Sequence, residues 1–276
     1  MKKLLIRSLS GLVYILIIVG TIYSGRLLHD AAAGKIVCCT VFCIIGLIGT
    51  YEFMANLAKK GIKPNWLFTF VIALLVYAIF FHISKAVLVV LPALMLSAFI
   101  IQLWRHDENP MASIGYTLTP SIWIMAPLAL ANLMWSREPG LLMLVFVLVW
   151  VNDTFAYLSG MLLGRHTMWE RHSPKKTWEG TIGGLLFCTA AAIFIGPMLT
   201  DIDFSRLVWA LIGLVCGVTA TLGDLVESMF KRFCGVKDSG KIMPGHGGIL
   251  DRFDSMLAVI PCMCAFLTLL PMIFNI

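Results

Sequence analysis

The sequence predicts an all-α, polytopic integral membrane protein with about nine transmembrane helices. Three observations predict it. Hydrophobic residues make up 59% of the 276 residues and charged residues only 13%. Mean hydropathy is +0.91, far outside the range of a water-soluble domain. Nine apolar runs reach the length of roughly 17 to 25 residues that a helix needs to cross a bilayer.

The first run, 8–24, follows Lys2, Lys3 and Arg7. It resembles a secretory signal but lacks a convincing small-residue cleavage site, and further spans follow, so it is read as a helix. The second, 35–57, carries Glu52 beside Tyr51 near one end, a residue whose role stays ambiguous. Runs 66–83, 86–104 and 119–135 are plain spans with short loops. The sixth, 140–163, contains Asn152 and Asp153, and an acid within a span calls for a partner, either the basic residues of 173–176 or a bound cation. Before the seventh, 177–199, Ser173 is the expected N-cap and Pro174 the first helical residue. That places free N–H groups beside Lys175 and Lys176, an arrangement suited to anions, although two interfacial lysines are also an ordinary topological signal. The eighth, 206–230, ends with Asp224, Glu227, Ser228 and Lys231 at spacings that share one helical face. The ninth, 256–274, is entered through Asp251, Arg252 and Asp254.

Nine spans put the two ends of the chain on opposite sides. With the N-terminus inside, sixteen of the 21 basic residues fall on the cytoplasmic side, which fixes the expected orientation by the positive-inside rule. The formal charge of +6 fits a membrane surface or an anionic substrate. No soluble domain is present to read a duplex, so nucleic acid is excluded as a partner. Seven of the eight cysteines lie within expected spans, with no CxxC pair, and read as small packing residues. His29, His82, His106, Asp201 and Asp203 fall in expected loops with no motif around them.

The chain reads as one continuous membrane domain with two unlike halves, N-terminal helices over 1–139 and a C-terminal catalytic core over 140–276. Only the second half concentrates internal charge. It also carries three small-xxx-small steps, Gly160 to Gly164, Gly180 to Gly184 and Gly213 to Gly217, which let helix backbones approach closely in lipid.

The densest chemistry lies between Ser228 and Ser255. Eight of the 36 charged residues sit between Lys231 and Asp254, at a cost that a polyphosphate and its metal would explain. Asp224 lies deep on its helix and needs a cation. Gly235 to Lys241 brings Lys237, Asp238 and Lys241 between glycines, a weak phosphate signal without Walker A spacing. Pro244-Gly245-His246-Gly247-Gly248 is stronger, because removing side chains around one histidine opens backbone N–H groups and the imidazole to a ligand. Phosphate contact is the favoured role of His246, ahead of acid or base catalysis. Asp251 is favoured to join Asp224 as a carboxylate ligand of Mg²⁺. Asp254 is left open, and Arg252 either meets substrate or neutralises one of the two.

The spaced residues Ser228, Phe230, Lys231, Arg232, Lys237, Asp238, Gly240, Pro244, Gly245, His246, Gly247, Gly248, Asp251, Arg252 and Asp254 resemble the signature of the phosphatidate cytidylyltransferases, also called CDP-diacylglycerol synthases. SPKKTWEG at 173–180 and the segment from Asp153 to Gly160 are similar to other stretches of that family in the same order. Met161 departs from it, because the family often has a basic residue there. The resemblance implies that CTP and phosphatidic acid give CDP-diacylglycerol and pyrophosphate, in a multi-pass, dimeric enzyme of the cell membrane whose site faces the cytoplasm. It implies Mg²⁺, with K⁺ as a second cation of the carboxylate site. Asp224 and Asp251 are then metal ligands, with Asp254 and Asp153 as further candidates. Lys237, His246 and Arg252 fall in the nucleotide and phosphate site, with Ser173, Lys175, Lys176, Thr177, Glu179, Ser228, Lys231, Arg232, Asp238, Gly247 and Gly248 around the substrates.

The expected mechanism is direct displacement at the α-phosphorus of CTP by the lipid phosphate, resting on positioning and charge rather than on a covalent intermediate. Two rivals remain. One is a CTP-dependent transferase acting on another lipid. The other is a secondary transporter, which should show paired interrupted helices in both halves, and the first half shows none.

Overall fold

The computed structural model describes residues 2–63, 65–81, 86–105 and 109–274. His82 and His106 lie outside them. The chain is an all-α polytopic membrane protein with one small hairpin. Helices α1 (Lys2–Ile22), α2 (Ser24–Leu27), α3 (Ala31–Lys59), α4 (Trp66–Phe81), α5 (Ala86–Gln102), α6 (Pro110–Pro120) and α7 (Ala126–Arg137) come first. Then follow α8 (Pro139–Leu163), the antiparallel strands β1 (Thr167–Trp169) and β2 (Ser173–Thr177), and helices α9 (Trp178–Leu199), α10 (Arg206–Phe233) and α11 (Leu250–Phe274). Among the described residues six helices are long and apolar enough to cross a membrane. Shorter apolar helices cover Arg7–Ile22 and Trp66–Ala78, where full spans were expected.

Local chemistry sets the helix starts. Asp30 accepts a hydrogen bond from the Ala32 amide at 2.8 Å, Asn109 from Ala112 at 3.1 Å, and Glu138 from Gly140 at 3.0 Å ahead of Pro139. Between α6 and α7 the helix passes through a π-helical turn, Ser121–Met125, bracketed by Pro120 and Pro127. Proline supplies no amide to the helical ladder, and a widened turn absorbs the missing bond.

The start of α9 differs from expectation. Ser173 and Pro174 are not its cap and first residue, because both lie in β2, where Thr167 pairs with Thr177 and Trp169 with Ser173. The cap is Thr177, whose hydroxyl accepts from the Gly180 amide at 3.2 Å. Pairing with β1 satisfies the extended backbone that a free helix start would leave bare, and threonine caps nearly as well as serine.

Helices α8, α9 and α10 pack through the three glycine steps. A Cβ on Gly180 would lie 3.1 Å from the Gly160 Cα, and one on Gly213 would lie 2.6 Å from the Thr189 Cα and 2.9 Å from the Cys188 carbonyl oxygen. Helix α11 closes against α10 at Gly223, where a Cβ would meet the Asp254 carbonyl at 2.8 Å. Gly213→Leu is therefore expected to force α9 from α10 and to lower the midpoint of thermal unfolding in detergent by several degrees, since overpacking costs about 1–3 kcal/mol. Gly20→Leu, at a position with nothing within 4 Å, should leave it unchanged. Equal midpoints for the two variants would contradict the packing.

Two aromatic nests tie the first half to the second. Phe53 of α3 stacks on Phe230 of α10 with centroids 4.4 Å apart. Tyr14 of α1 meets Phe253 of α11 edge-on at 5.9 Å. Consequently residues from α1 and α3 reach the end of the bundle where α10 and α11 meet.

Candidate functional site

A cavity of about 800 Å³ opens at that end, bounded by α1, α8, the hairpin, α10 and α11. Asp153, Ser173, Lys175, Lys176, Thr177, Asp224, His246, Asp251, Arg252 and Asp254 all line it. Ten expected site residues, spread over a hundred positions of sequence, thus line one cavity. Ile15 of α1 and Tyr157 and Met161 of α8 line it as well, the latter two largely exposed.

Helix periodicity places Asp224 and Glu227 one turn apart, and the α10–α11 contact brings Asp254 to them. One carboxylate oxygen from each lies within 4.8 Å of the others. Converging carboxylates are the donor set of a hard divalent cation such as Mg²⁺. The surrounding charge agrees. Five carboxylates, Asp153, Asp224, Glu227, Asp251 and Asp254, meet three cations, Lys176, Lys231 and Arg252.

Lys176 Nζ sits 2.5 Å from Asp224 Oδ2 and donates to the Thr221 carbonyl at 3.2 Å. Lys231 pairs with Glu227 on its own helix and with Asp251 at 2.8 Å, so it bridges two acids inside the protein. Asp251 stands apart from the converging trio. Its Oδ2 accepts from the Ser239 amide at 2.8 Å, the Ser239 hydroxyl at 2.9 Å and the Gly248 amide at 2.8 Å. It therefore acts as a strut between the glycine loop and α11. Arg252 lines the cavity, and its buried Nε has no hydrogen-bond partner, which leaves a donor for an anion.

The loop 234–249 is held from two sides. From α3, Glu52 accepts from the Ile249 and Leu250 amides at 3.0 Å each and from the Ser239 hydroxyl at 3.1 Å. Asn56, one turn later, donates to the Ser239 carbonyl at 2.7 Å. Glu52 is only 3% exposed, and the free amides at the start of α11 stand in for a cation. From α1, Arg7 Nε donates to the Gly245 carbonyl at 2.9 Å, and Ser10 Oγ lies 2.7 Å from His246 Nδ1. Gly245 and Gly247, with φ of +77° and +88°, adopt left-handed turns open to glycine. Burial, Arg252 and Arg7 together lower the pKa of His246 below its ordinary value, which favours the neutral ring.

Other expected residues point elsewhere. Lys237 and Asp238 are exposed and outside the cavity lining. Arg232 donates to the His172 carbonyl at 3.4 Å and the Val236 carbonyl at 3.2 Å, joining the hairpin to the loop. Glu179 accepts from the Arg165 and His166 amides and lies 2.5 Å from His166 Nδ1, fixing the hairpin's entry. Ser228 donates to Asp224 at 3.5 Å. Gly248 is buried against Asp251, and Gly247 lies beside it.

Four residues outside the expected set belong to this site: Glu227, Glu52, Ser10 and Arg7. A lone acid in an apolar run was a usable signal for Glu52. Nothing local marks Ser10.

The model of the cytidylyltransferase family matches residues 5–270 of this chain. A phosphatidate cytidylyltransferase of Staphylococcus aureus (strain COL) is 52% identical over 130 residues, covering 46% of this chain and 49% of the relative. Those of Staphylococcus haemolyticus and Staphylococcus epidermidis are 48% and 47% identical over 130 and 128 residues, with the same coverage. The chain spans about half the length of the curated relatives it matches.

Proposed function

The chain belongs to the cytidylyltransferase family, and from that premise we propose that it transfers the cytidylyl group of CTP to phosphatidic acid, giving CDP-diacylglycerol and pyrophosphate. The observation that carries the reading is the cavity itself. Asp224 and Asp254 of the converging carboxylates line it with Lys175, Lys176 and Arg252, and so do Ile15, Tyr157 and Met161, so a polyphosphate and an acyl chain can meet there. Its volume of about 800 Å³ falls within the usual range for small-molecule sites.

A phosphate oxygen of the lipid attacks the α-phosphorus of CTP. The bond to the bridging oxygen breaks, and pyrophosphate leaves with the electron pair. Lys175 and Arg252 meet the phosphate oxygens, and Lys176 exchanges Asp224 for phosphate as substrates arrive. Asp224, Glu227 and Asp254 would hold Mg²⁺, which supplies neutralising charge to the polyphosphate. Asp153, which lines the same cavity, is the remaining carboxylate for a second cation such as K⁺. Held charges aimed at the transition state account for the catalysis, and no covalent intermediate is needed.

The site is placed on the cytoplasmic side of the cell membrane, where CTP is available. The contact of Arg7 and Ser10 with the glycine loop supports this, because it puts the basic start of α1 and the site on one side. Phosphatidate then enters sideways between α1 and α8. The homodimer implied by the family resemblance is a further expectation, checked by crosslinking in membranes.

The direct test is purified protein in vesicles with radiolabelled CTP. CDP-lipid should form with phosphatidate, require Mg²⁺ and stop with chelator. Product from an isoprenoid or ether-lipid phosphate, but none from phosphatidate, would replace the acceptor. No product from any acceptor would end the enzyme reading.

A further inference from the structure

We propose that Ser10 of α1 is a positioning residue that fixes His246 in the Nδ1–H tautomer, so that Nε2 presents a lone pair to the cavity and accepts an O–H proton of the substrate. The role given to the substrate rests on the cytidylyl-transfer reading. The hydrogen bond does not.

The argument is a count of protons. Ser10 Oγ lies 3.0 Å from the Arg7 carbonyl oxygen, 3.2 Å from the Pro244 carbonyl oxygen and 2.7 Å from His246 Nδ1. Both carbonyls can only accept. The hydroxyl has one proton, and if it went to Nδ1, lone pairs of Oγ and the Pro244 carbonyl would face each other unshared. If instead Nδ1–H donates to Oγ, the hydroxyl proton is free for one of the two carbonyls, and one more contact is satisfied than in the alternative. His246 is then an acceptor at Nε2. A neutral ring in that state cannot donate to a phosphate oxygen, which reverses the phosphate-contact role expected from the glycine pattern.

The surroundings keep Nε2 open. His246 and Gly11 both line the cavity, and a Cβ on Gly11 would lie 3.6 Å from Cε1 and 3.9 Å from Nε2. The ring edge opposite Ser10 therefore meets a glycine of α1, where no side chain intervenes. Burial and the neighbouring guanidinium groups, Arg252 and Arg7, disfavour the imidazolium, which favours the neutral ring that can accept a hydrogen bond at Nε2. The donor is a substrate O–H, on the monoprotonated phosphate monoester or on the ribose. In the first case the O–H bond breaks as the phosphate oxygen attacks, and the proton passes to Nε2.

The test uses the full chain in bilayers, with ¹⁵N-labelled histidine and His246 assigned by comparison with His246→Gln. His246 should show a protonated Nδ1 and a bare Nε2 in the unmodified protein and in Ser10→Thr. In Ser10→Val, which matches Thr in shape but lacks the hydroxyl, it should lose that preference. A protonated Nε2 in the unmodified protein, or equal spectra for Thr and Val, would overturn the proposal. Phosphatidate and CTP, added separately, show by the Nε2 shift which one supplies the proton, and no shift with either would remove the substrate role. In turnover, Ser10→Val should lower kcat by about 10-fold or more while Ser10→Thr stays within about 2-fold, with KM for CTP little changed in both. A chain that makes no CDP-lipid would end the family activity, yet the tautomer measurement would still decide the hydrogen bond.

Discussion

Asp224→Asn is expected to lower CDP-lipid formation by about 100- to 1,000-fold while the protein stays folded, the usual cost of removing one held charge from a site that works by electrostatics. The substitution keeps shape and removes the carboxylate that faces Glu227 and Asp254 and pairs with Lys176. Asp254→Asn should behave alike. The two are separated from a folding defect by Mg²⁺ titration of the unfolding midpoint. In the unmodified protein Mg²⁺ should raise it, by about 2.7 kcal/mol of stabilisation at a hundredfold excess over Kd, and in either variant the rise should vanish. Asp251→Asn should differ, because its Oδ2 accepts three hydrogen bonds. An amide there turns donors toward donors, so stability falls even without Mg²⁺. If Asp224→Asn kept both its turnover and its Mg²⁺ shift, the converging trio would not be the metal site.

Glu52→Ala should be the most destabilising single change away from the cavity, by about 3–5 kcal/mol, the cost of leaving buried charge-assisted partners unpaired. It strips acceptors from the Ile249 and Leu250 amides and the Ser239 hydroxyl at once. Those groups set the start of α11 and therefore the position of Arg252 and Asp254, so turnover should fall together with the unfolding midpoint. Gly248→Ala is expected to hurt for the complementary reason, since a Cβ there would collide with the Glu52 carboxylate and the Ser239 hydroxyl. The double variant should then cost clearly less than the sum, because truncating Glu52 makes room for the methyl group. Strict additivity in thermal unfolding would show that the two residues do not share a contact.

The site was legible where residues close in sequence carry it. Asp251, Arg252 and His246 stand in a gapped, glycine-rich run whose charge density is anomalous for a membrane chain, Asp224 lies one turn before it, and all four line the cavity. Lys237 and Asp238 belong to the same run but point outward, since a loop's neighbours in sequence diverge in space wherever it turns. Glu227 looked like half of an ordinary helix-surface pair with Lys231. Only the approach of α11 turns it into a partner of Asp254. The β-hairpin escaped for a related reason: Ser173-Pro174 reads equally well as a helix start until Thr167 is seen opposite Thr177.

Local sequence by itself determined the class of this protein and the unusual charge of its glycine-rich loop, because hydropathy, helix periodicity and glycine are properties of short stretches of chain. The tertiary structure alone decided which carboxylates converge, that Asp251 is a strut rather than one of the trio, and that Glu52, Ser10 and Arg7 serve the site from helices far away in sequence. Those outcomes depend on distances between α1, α3, α10 and α11, and such distances follow from how helices pack, not from any stretch read on its own.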